Sequence, residues 1–412
     1  MTNRALILAA LAGGPITISG PLVARDTLLM ADALRALGWN IADAEGGWRV
    51  VPGAAPAQVA TGLGAGGTRA VDVDVGNAGT VLRFIPPAAA LTTVQARFRG
   101  DARVSRRPVG PLLQALRDLG AIVDDAGTGR VPFVVHGRGG VTGGCVTMDA
   151  SSSSQLISGL LLAAPRFDRG AQIRHSGPQV PSAPHIEMTV RMLRDRGVSV
   201  AAGPELWEVA PGQIAPGEIG IEPDVSNAVP FMAAAMVTGG ELTIAGWPVN
   251  SVQPVGQVLD LLTAMGASLA HTPAGLRVSG SGPIRGIVAD LSEVGELTPV
   301  LTALAALASS PSEFRGIAHL RRHESDRLAA LAAEIGKLGG DVTELADGLR
   351  VLPRPLRADG QVIDSHDDHR LVMAAAVIGL VTPGLRVSNA ATVGKTFPGF
   401  SQSWTQALAL AG

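Results

Sequence analysis

Four stretches of the 412-residue sequence place small, hydroxyl or charged residues directly ahead of apolar runs that read as helices. In GNAGTVLRF (76–84), two glycines would let the backbone come close to a ligand, and the helix start that follows offers free N–H groups to an anion. In DASSSSQLISGLLLAAP (149–165), four serines lead into an apolar helix, so hydroxyls and backbone donors can point the same way. PSAPHIEMTV (181–190) has Ser182 just ahead of Pro184, a residue suited to a first helical turn. HLRRHESDRLAALAAEI (319–335) sets Glu324 and Arg327 three apart, which predicts that they share one face of a starting helix. Further cations lie in GDARVSRRPVGPL (100–112), with Arg103, Arg106 and Arg107, in SHDDHRLVMAA (365–375), with Arg370, and in VGKTFPGF (393–400), with Lys395. Taken singly, each stretch reads equally well as a turn, a cap, an ordinary ion pair or a solvated run. Taken together, several cations and anion-ready helix starts point to a pair of multiply charged substrates.

The basic residues are nearly all arginine; Lys337 and Lys395 are the only lysines. An ammonium differs from a guanidinium in geometry and titration, so each lysine invites a particular reason.

The elements that must position these groups follow a repeated pattern, an apolar helical stretch ending in glycine and then a short β-branched stretch. It occurs at Gly38, Gly120, Gly197, Gly266 and Gly339, spaced 82, 77, 69 and 73 residues apart. Apolar residues recur at three- and four-residue intervals before each glycine, which sits where a left-handed helix cap belongs. Such even intervals predict repeated α/β modules with one or two helices each, too long for a solenoid. The opening MTNRALILAALAGGP has the charged start and short apolar core of a signal peptide. The alternation in Ile16-Thr17-Ile18-Ser19 just beyond it favours a helix that leads into a strand.

The length suggests two or three domains. Hydrophobic residues make up 46% of the chain and charged residues 17%. No run reaches the ~18 apolar residues of a membrane span. The one cysteine, Cys145, allows no internal disulfide and no cysteine-rich zinc site, and a cytoplasmic location is expected. A net charge of -2 gives no general attraction to nucleic acid.

The chain resembles the EPSP synthases (3-phosphoshikimate 1-carboxyvinyltransferases) over essentially its full length. The resemblance is carried by TNRALILAALA, GNAGTVLRF, RRPVGPLLQAL, SSSSQLISGLLLAA, SAPHIEMT, GELTPVLTALAALA, HESDRLAAL, DDHRLVMAAA and GKTFP, nine motifs in family order. It implies an α/β enolpyruvyl transferase-like fold of six βαβαββ units in two lobes, residues 1–222 and 223–412, with the active site in the cleft between them. It implies transfer of an enolpyruvyl group from phosphoenolpyruvate to the 5-hydroxyl of shikimate-3-phosphate, by addition and then elimination of phosphate. The resemblance assigns Asn77, Gly79, Arg107, Gln155, Arg327, Arg370 and Lys395 to phosphoenolpyruvate. To shikimate-3-phosphate it assigns Arg4, Ser153, Ser154, Gln155, Ser182, Glu296 and His323. Glu296 and Glu324 would move the protons, because the 5-hydroxyl loses one while the methylene carbon gains one. No cofactor or metal is implied, and a monomer acting on small molecules is expected.

The charge demand fits this assignment. Two ligands of about three negative charges each repel by roughly 3 kcal/mol per unit pair at ~6 Å and an effective dielectric of ~20, over about nine pairs. Several cations must therefore share the site.

The chain departs from the family pattern in three places. Glu296 stands where the family commonly has Asp, and His323 where it has Lys, so the charge at the latter depends on pH. The family opening reads Pro-Gly-Ser-Lys-Ser-x-Thr/Ser-Asn-Arg, and this sequence enters it at Met1-Thr2-Asn3-Arg4. The expectation is that the opening is the remainder of something longer. The 412-residue chain would then be nearly inactive and poorly soluble, and an upstream-extended one active. Two other readings are UDP-N-acetylglucosamine enolpyruvyl transferase and a catalytically impaired anion-binding relative. The first uses a loop cysteine, whereas Cys145 lies away from any Arg-Pro loop.

Overall fold

The computed structural model describes residues 1–53, 69–248 and 250–410, without the side chains of Arg106 and Leu410. The chain divides into two compact units, Met1–Ile221 and Glu222–Gly412.

The first unit opens with α1 (Thr2–Leu11), β1 (Ile16–Ser19), α2 (Arg25–Leu37), β2 (Asn40–Ala44) and β3 (Gly47–Val51). Then come β4 (Ala70–Asp74), α3 (Gly79–Ala90), β5 (Gln95–Arg99), α4 (Gly110–Asp118), β6 (Ile122–Asp124) and β7 (Phe133–His136). The unit closes with β8 (Gly144–Met148), α5 (Gln155–Ala163), β9 (Ala171–His175), α6 (Pro184–Arg194), β10 (Val200–Ala202), β11 (Leu206–Val209) and β12 (Gly217–Gly220). These strands form three four-stranded sheets, in the orders β12-β1-β3-β2, β4-β5-β7-β6 and β10-β11-β9-β8. The second and third sheets belong to complete βαβαββ units. The first sheet takes its parallel edge strand from β12, with Ile16 opposite Gly217.

The second unit contains α7 (Val225–Thr238), β13 (Glu241–Ala245), α8 (Val255–Ala264), β14 (Ala267–Thr272) and β15 (Gly275–Gly280). It continues with β16 (Val288–Asp290), α9 (Thr298–Ala306), β17 (Ser312–Arg315), α10 (Arg327–Lys337), β18 (Asp341–Leu345) and β19 (Gly348–Leu352). Last are β20 (Val362–Asp364), α11 (His369–Gly379), β21 (Arg386–Ser388) and α12 (Phe400–Leu410). The sheets here are β13-β15-β14, β16-β17-β19-β18 and the parallel pair β20-β21. The stretch from β16 to β19 repeats the full βαβαββ order.

Ten of the helices fall into two kinds, and the sequence pattern says why. α1, α3, α5, α9 and α11 are buried on nearly every face, as their lack of a polar stripe requires. α2, α4, α6, α8 and α10 are amphipathic and bury one side. These five are the glycine-terminated helices of the repeat. Gly38, Gly120, Gly197, Gly266 and Gly339 all have positive φ, between 76° and 112°, a region glycine enters without a Cβ penalty. The opening apolar run is α1, with Ala5–Leu11 at most 6% exposed within the core. Among the described residues no helix is long and apolar enough to cross a membrane.

Candidate active site

In the first unit, several expected ligand groups gather at the N-terminal turns of α3 and α5. Gly79 opens α3, and a β-carbon placed on it would lie 2.8 Å from Arg107 Nη1, 3.0 Å from Arg83 Nη1 and 3.1 Å from Gln155 Oε1. Two guanidinium groups and an amide therefore converge on one bare backbone position. Arg83 Nη1 also donates to Gln155 Oε1 at 3.0 Å. Asn77, Arg83 and Arg107 are buried. Arg106 was part of the same basic run, but its side chain lies outside the described residues. Arg83 is missed by sequence reasoning; its place four residues after Gly79, on the same helical face, is the signal that marks it.

The serine stretch leads into α5. Ser154 is buried at the N-cap without making a capping bond, and Ser153 Oγ accepts from the Gln155 amide at 3.3 Å. His175, at the end of β9, joins this loop to the next one. Its Nδ1 accepts from Ala150 N–H at 3.2 Å and its Nε2 donates to the Pro178 carbonyl at 2.7 Å, which fixes one neutral tautomer. Ser182 lies beyond Pro178 with φ +54°, an uncommon conformation for a residue with a side chain. Arg4 is buried on α1. It donates to Thr189 Oγ1 at 2.7 Å and to the His185 carbonyl at 3.0 Å, and it lies 5.3 Å from the Phe84 ring centroid. Burial pushes its pKa down to about 10.

In the second unit, a buried charge cluster forms around Arg327. Its Nε donates to Asp368 Oδ2 at 2.8 Å, and its Nη2 reaches Asp368 Oδ1 at 3.2 Å and Glu324 Oε2 at 3.0 Å. The other oxygen of Glu324 accepts from Lys395 Nζ at 2.6 Å. Arg370 donates to the Ser226 carbonyl at 2.8 Å and to its hydroxyl at 2.6 Å. Arg327, Asp368, Arg370 and Lys395 are all buried. Burial opposes the charge on Arg327, but Asp368 and Glu324 outweigh it and raise its pKa. The same balance, with Arg327 as the dominant partner, holds Asp368 down to about 2. Glu296 sits in the turn before α9, close enough to act electrostatically on Arg327, Arg370 and His319. His323 Nδ1 faces Arg327 Nη1 at 3.4 Å, and its ring meets that of His319 edge-on at 5.4 Å.

One local expectation is corrected. Glu324 does not lie on the first turn of a helix. α10 begins at Arg327, and Asp326 caps it by accepting from the Ala329 amide at 3.1 Å. That cap satisfies an orphan helix donor and ends the loop there, so the Glu324–Arg327 pair spans the helix entrance. Asp368, Ser226 and His319 are further residues of this cluster that sequence reasoning misses. For Asp368 the signal was available, since an aspartate directly before an apolar helix is an N-cap; it accepts from the Arg370 amide at 3.0 Å. Among the described residues no group of three or more His, Cys, Asp or Glu is placed to hold a metal ion.

The cluster has a pH consequence. Burial, with Arg370 adding to it, keeps His369 neutral by lowering its pKa well below the ordinary value. The unfolded chain takes up a proton there near pH 6.5 and the native one does not, so stability falls as pH drops below that value, by up to about 1.4 kcal/mol per unit. Asp368 adds a second loss as pH falls from about 4 toward 2. The melting temperature should therefore decline between pH 7 and 5, and His369→Gln should flatten that decline. An identical slope in the variant would rule out His369 as its source.

Comparison with known proteins follows the same lines. The family model for EPSP synthase (3-phosphoshikimate 1-carboxyvinyltransferase) matches residues 1–404. A 2.37 Å structure of EPSP synthase from Acinetobacter baumannii is similar with a TM-score of 0.78 and 26% identity, covering 100% of this chain and 93% of that one. A second structure of EPSP synthase from the same organism gives 0.78 and 25%, covering 98% and 93%. The enolpyruvyl transferase NikO from Streptomyces tendae shares the fold, with a TM-score of 0.73 at 18% identity over 98% of this chain and 91% of that one.

Proposed function

The chain belongs to the EPSP synthase family, and from that premise we propose how its own residues carry the family reaction. It transfers the enolpyruvyl group of phosphoenolpyruvate to shikimate-3-phosphate with release of phosphate. The observation that carries the residue assignment is the buried cluster in which Arg327 and Lys395 share the Glu324 carboxylate, with Arg370 nearby. Glu324 and Asp368 already face Arg327 and Lys395, and a phosphate or carboxylate group of the ligand adds the negative charge that three buried cations, Arg370 among them, attract. Arg327, Arg370 and Lys395 bind phosphoenolpyruvate in this reading, with Asn77, Gly79, Arg107 and Gln155. Arg4, Ser153, Ser154, Gln155, Ser182, Glu296 and His323 bind shikimate-3-phosphate.

Glu324 and Glu296 are the proton carriers. One takes the proton of the 5-hydroxyl as its oxygen attacks, while a proton is delivered to the methylene carbon. In the elimination the new methyl returns a proton and the phosphate leaves. The cations compensate the negative charge that both ligands bring. The reaction is assigned to a cytoplasmic monomer with small-molecule substrates and no nucleic-acid or membrane partner. The deciding assay is phosphate release with each substrate omitted in turn. Release that needs UDP-N-acetylglucosamine instead of shikimate-3-phosphate, or ligand binding without turnover, would overturn the assignment.

Gly79 gives a sharper check. A methyl there meets the far ends of the Arg107, Arg83 and Gln155 side chains at 2.8–3.1 Å, so the groups that would hold the ligand must shift to admit it. Gly79→Ala should raise the KM for phosphoenolpyruvate by roughly one to two decades through that misplacement. Glyphosate, expected to compete with phosphoenolpyruvate as in the family members that carry glycine here, should inhibit the variant less. Unchanged inhibition would remove Gly79 from the site.

A further inference from the structure

Both lysines of the chain rest on glutamates, Lys395 on Glu324 and Lys337 on Glu334. The second pair lies two turns after Arg327, at the far end of α10. Glu334 is only 5% exposed, and most of its hydrogen-bonding capacity goes to one segment. Oε2 accepts from Lys337 Nζ at 2.6 Å and from the Asp364 amide at 2.9 Å, while Oε1 faces His366 Nε2 at 2.9 Å. Burial works against its charge, but Lys337, the Asp364 amide and His366 together keep its pKa below the usual range.

α10 therefore holds residues 364–368 from both of its ends, with Arg327 gripping Asp368 and Glu334 gripping Asp364 and His366. Between these grips the backbone takes a shape that needs support. His366 and Asp367 have φ +50° and +54°, two consecutive left-handed residues with side chains. The same segment reaches the next part of the site. Asp364 Oδ1 accepts from Ser388 Oγ at 3.2 Å, and Asp367 Oδ1 from Asn389 Nδ2 at 2.5 Å. Asn389 precedes the turn Ala390–Lys395 that presents Lys395.

We propose that Glu334 is a positioning residue for catalysis: by pinning residues 364–367 it sets Asp368, Arg370 and, through Asn389, Lys395 where phosphoenolpyruvate binds. The last step rests on the assignment of Arg370 and Lys395 made above. Lys337 balances the charge of Glu334 at the surface side, where its own side chain is 39% exposed.

The test measures phosphate release by Glu334→Ala, Glu334→Gln, Lys337→Ala and Arg370→Ala, with each substrate varied separately. Glu334→Ala should raise the KM for phosphoenolpyruvate about tenfold or more and leave that for shikimate-3-phosphate within about twofold. Glu334→Gln keeps the volume and one acceptor, and should shift the same constant by less. Lys337→Ala should change both constants by less than about twofold. A merely structural glutamate would lower the active fraction, and so kcat, with both KM values unchanged; that pattern overturns the proposal. Amide hydrogen exchange over 364–370 needs no substrate. It should quicken about tenfold in Glu334→Gln, and unchanged protection also overturns the proposal. If exchange quickens but Arg370→Ala leaves the KM for phosphoenolpyruvate unchanged, the ligand assignment fails and the brace stands.

Discussion

Replacing Lys395 by alanine is expected to lower kcat/KM for phosphoenolpyruvate by roughly two to four decades, matching the ~3–5 kcal/mol typically lost when one partner of a buried charge pair is removed. Lys395 is 6% exposed and its Nζ lies 2.6 Å from Glu324. Its removal takes a cation from the anionic ligand and leaves Glu324 with Arg327 as its remaining cationic partner of the two. Lys395→Arg should not restore the rate, since a planar guanidinium does not fit the space of a compact ammonium. Lys337 is the internal control: its own side chain is 39% exposed, and buried Glu334 keeps the Asp364 amide and His366 without it, so its loss should cost less than ~1 kcal/mol. Steady-state kinetics of the three variants decide the matter, and equal losses from Lys395→Ala and Lys337→Ala would defeat the assignment.

The largest expected effect on stability belongs to Asp368→Asn. The carboxylate is fully buried, binds two nitrogens of Arg327 and caps α11. Asparagine keeps the shape and the capping oxygen, but it removes the charge and puts an amide NH2 donor where Oδ2 accepts from Arg327 Nε and Ser325 Oγ. It leaves Arg327, itself 2% exposed, with one carboxylate in place of two. A loss of ~3–5 kcal/mol and a fall in melting temperature of about 5 °C are expected. Asp341→Asn is the contrast, because the Asp341–Arg354 pair has side chains 30% and 59% exposed and should contribute less than ~1 kcal/mol. Calorimetry of the two variants separates the cases; comparable melting temperatures would show that the buried pair is no more stabilising than a surface one.

Much of this protein was legible along the chain because it is local. The five capping glycines announce both the helix ends and the module length, since a left-handed residue after an apolar periodic run has few other uses. α1 and α5 read as buried because they have no polar face, and Ile16–Ser19 as a strand because apolar residues alternate there. Gly79, Arg107 and Gln155 were recognised as motif residues, although nothing in their spacing shows that they meet.

What only the tertiary structure decided is which groups face each other. Arg4 bonds Thr189, Arg370 bonds Ser226 and Lys395 bonds Glu324, at separations of 185, 144 and 71 residues. Periodicity reports that a side of a helix is covered, and it carries no information about what covers it. For the same reason nothing along the chain marks Glu334 as buried or β12 as the edge of the first sheet. The first is buried by a loop 30 residues away, and the second completes a sheet begun at Ile16. Helices and caps follow from interactions within a few residues, whereas a charge cluster and a sheet edge exist only once distant segments have been folded together.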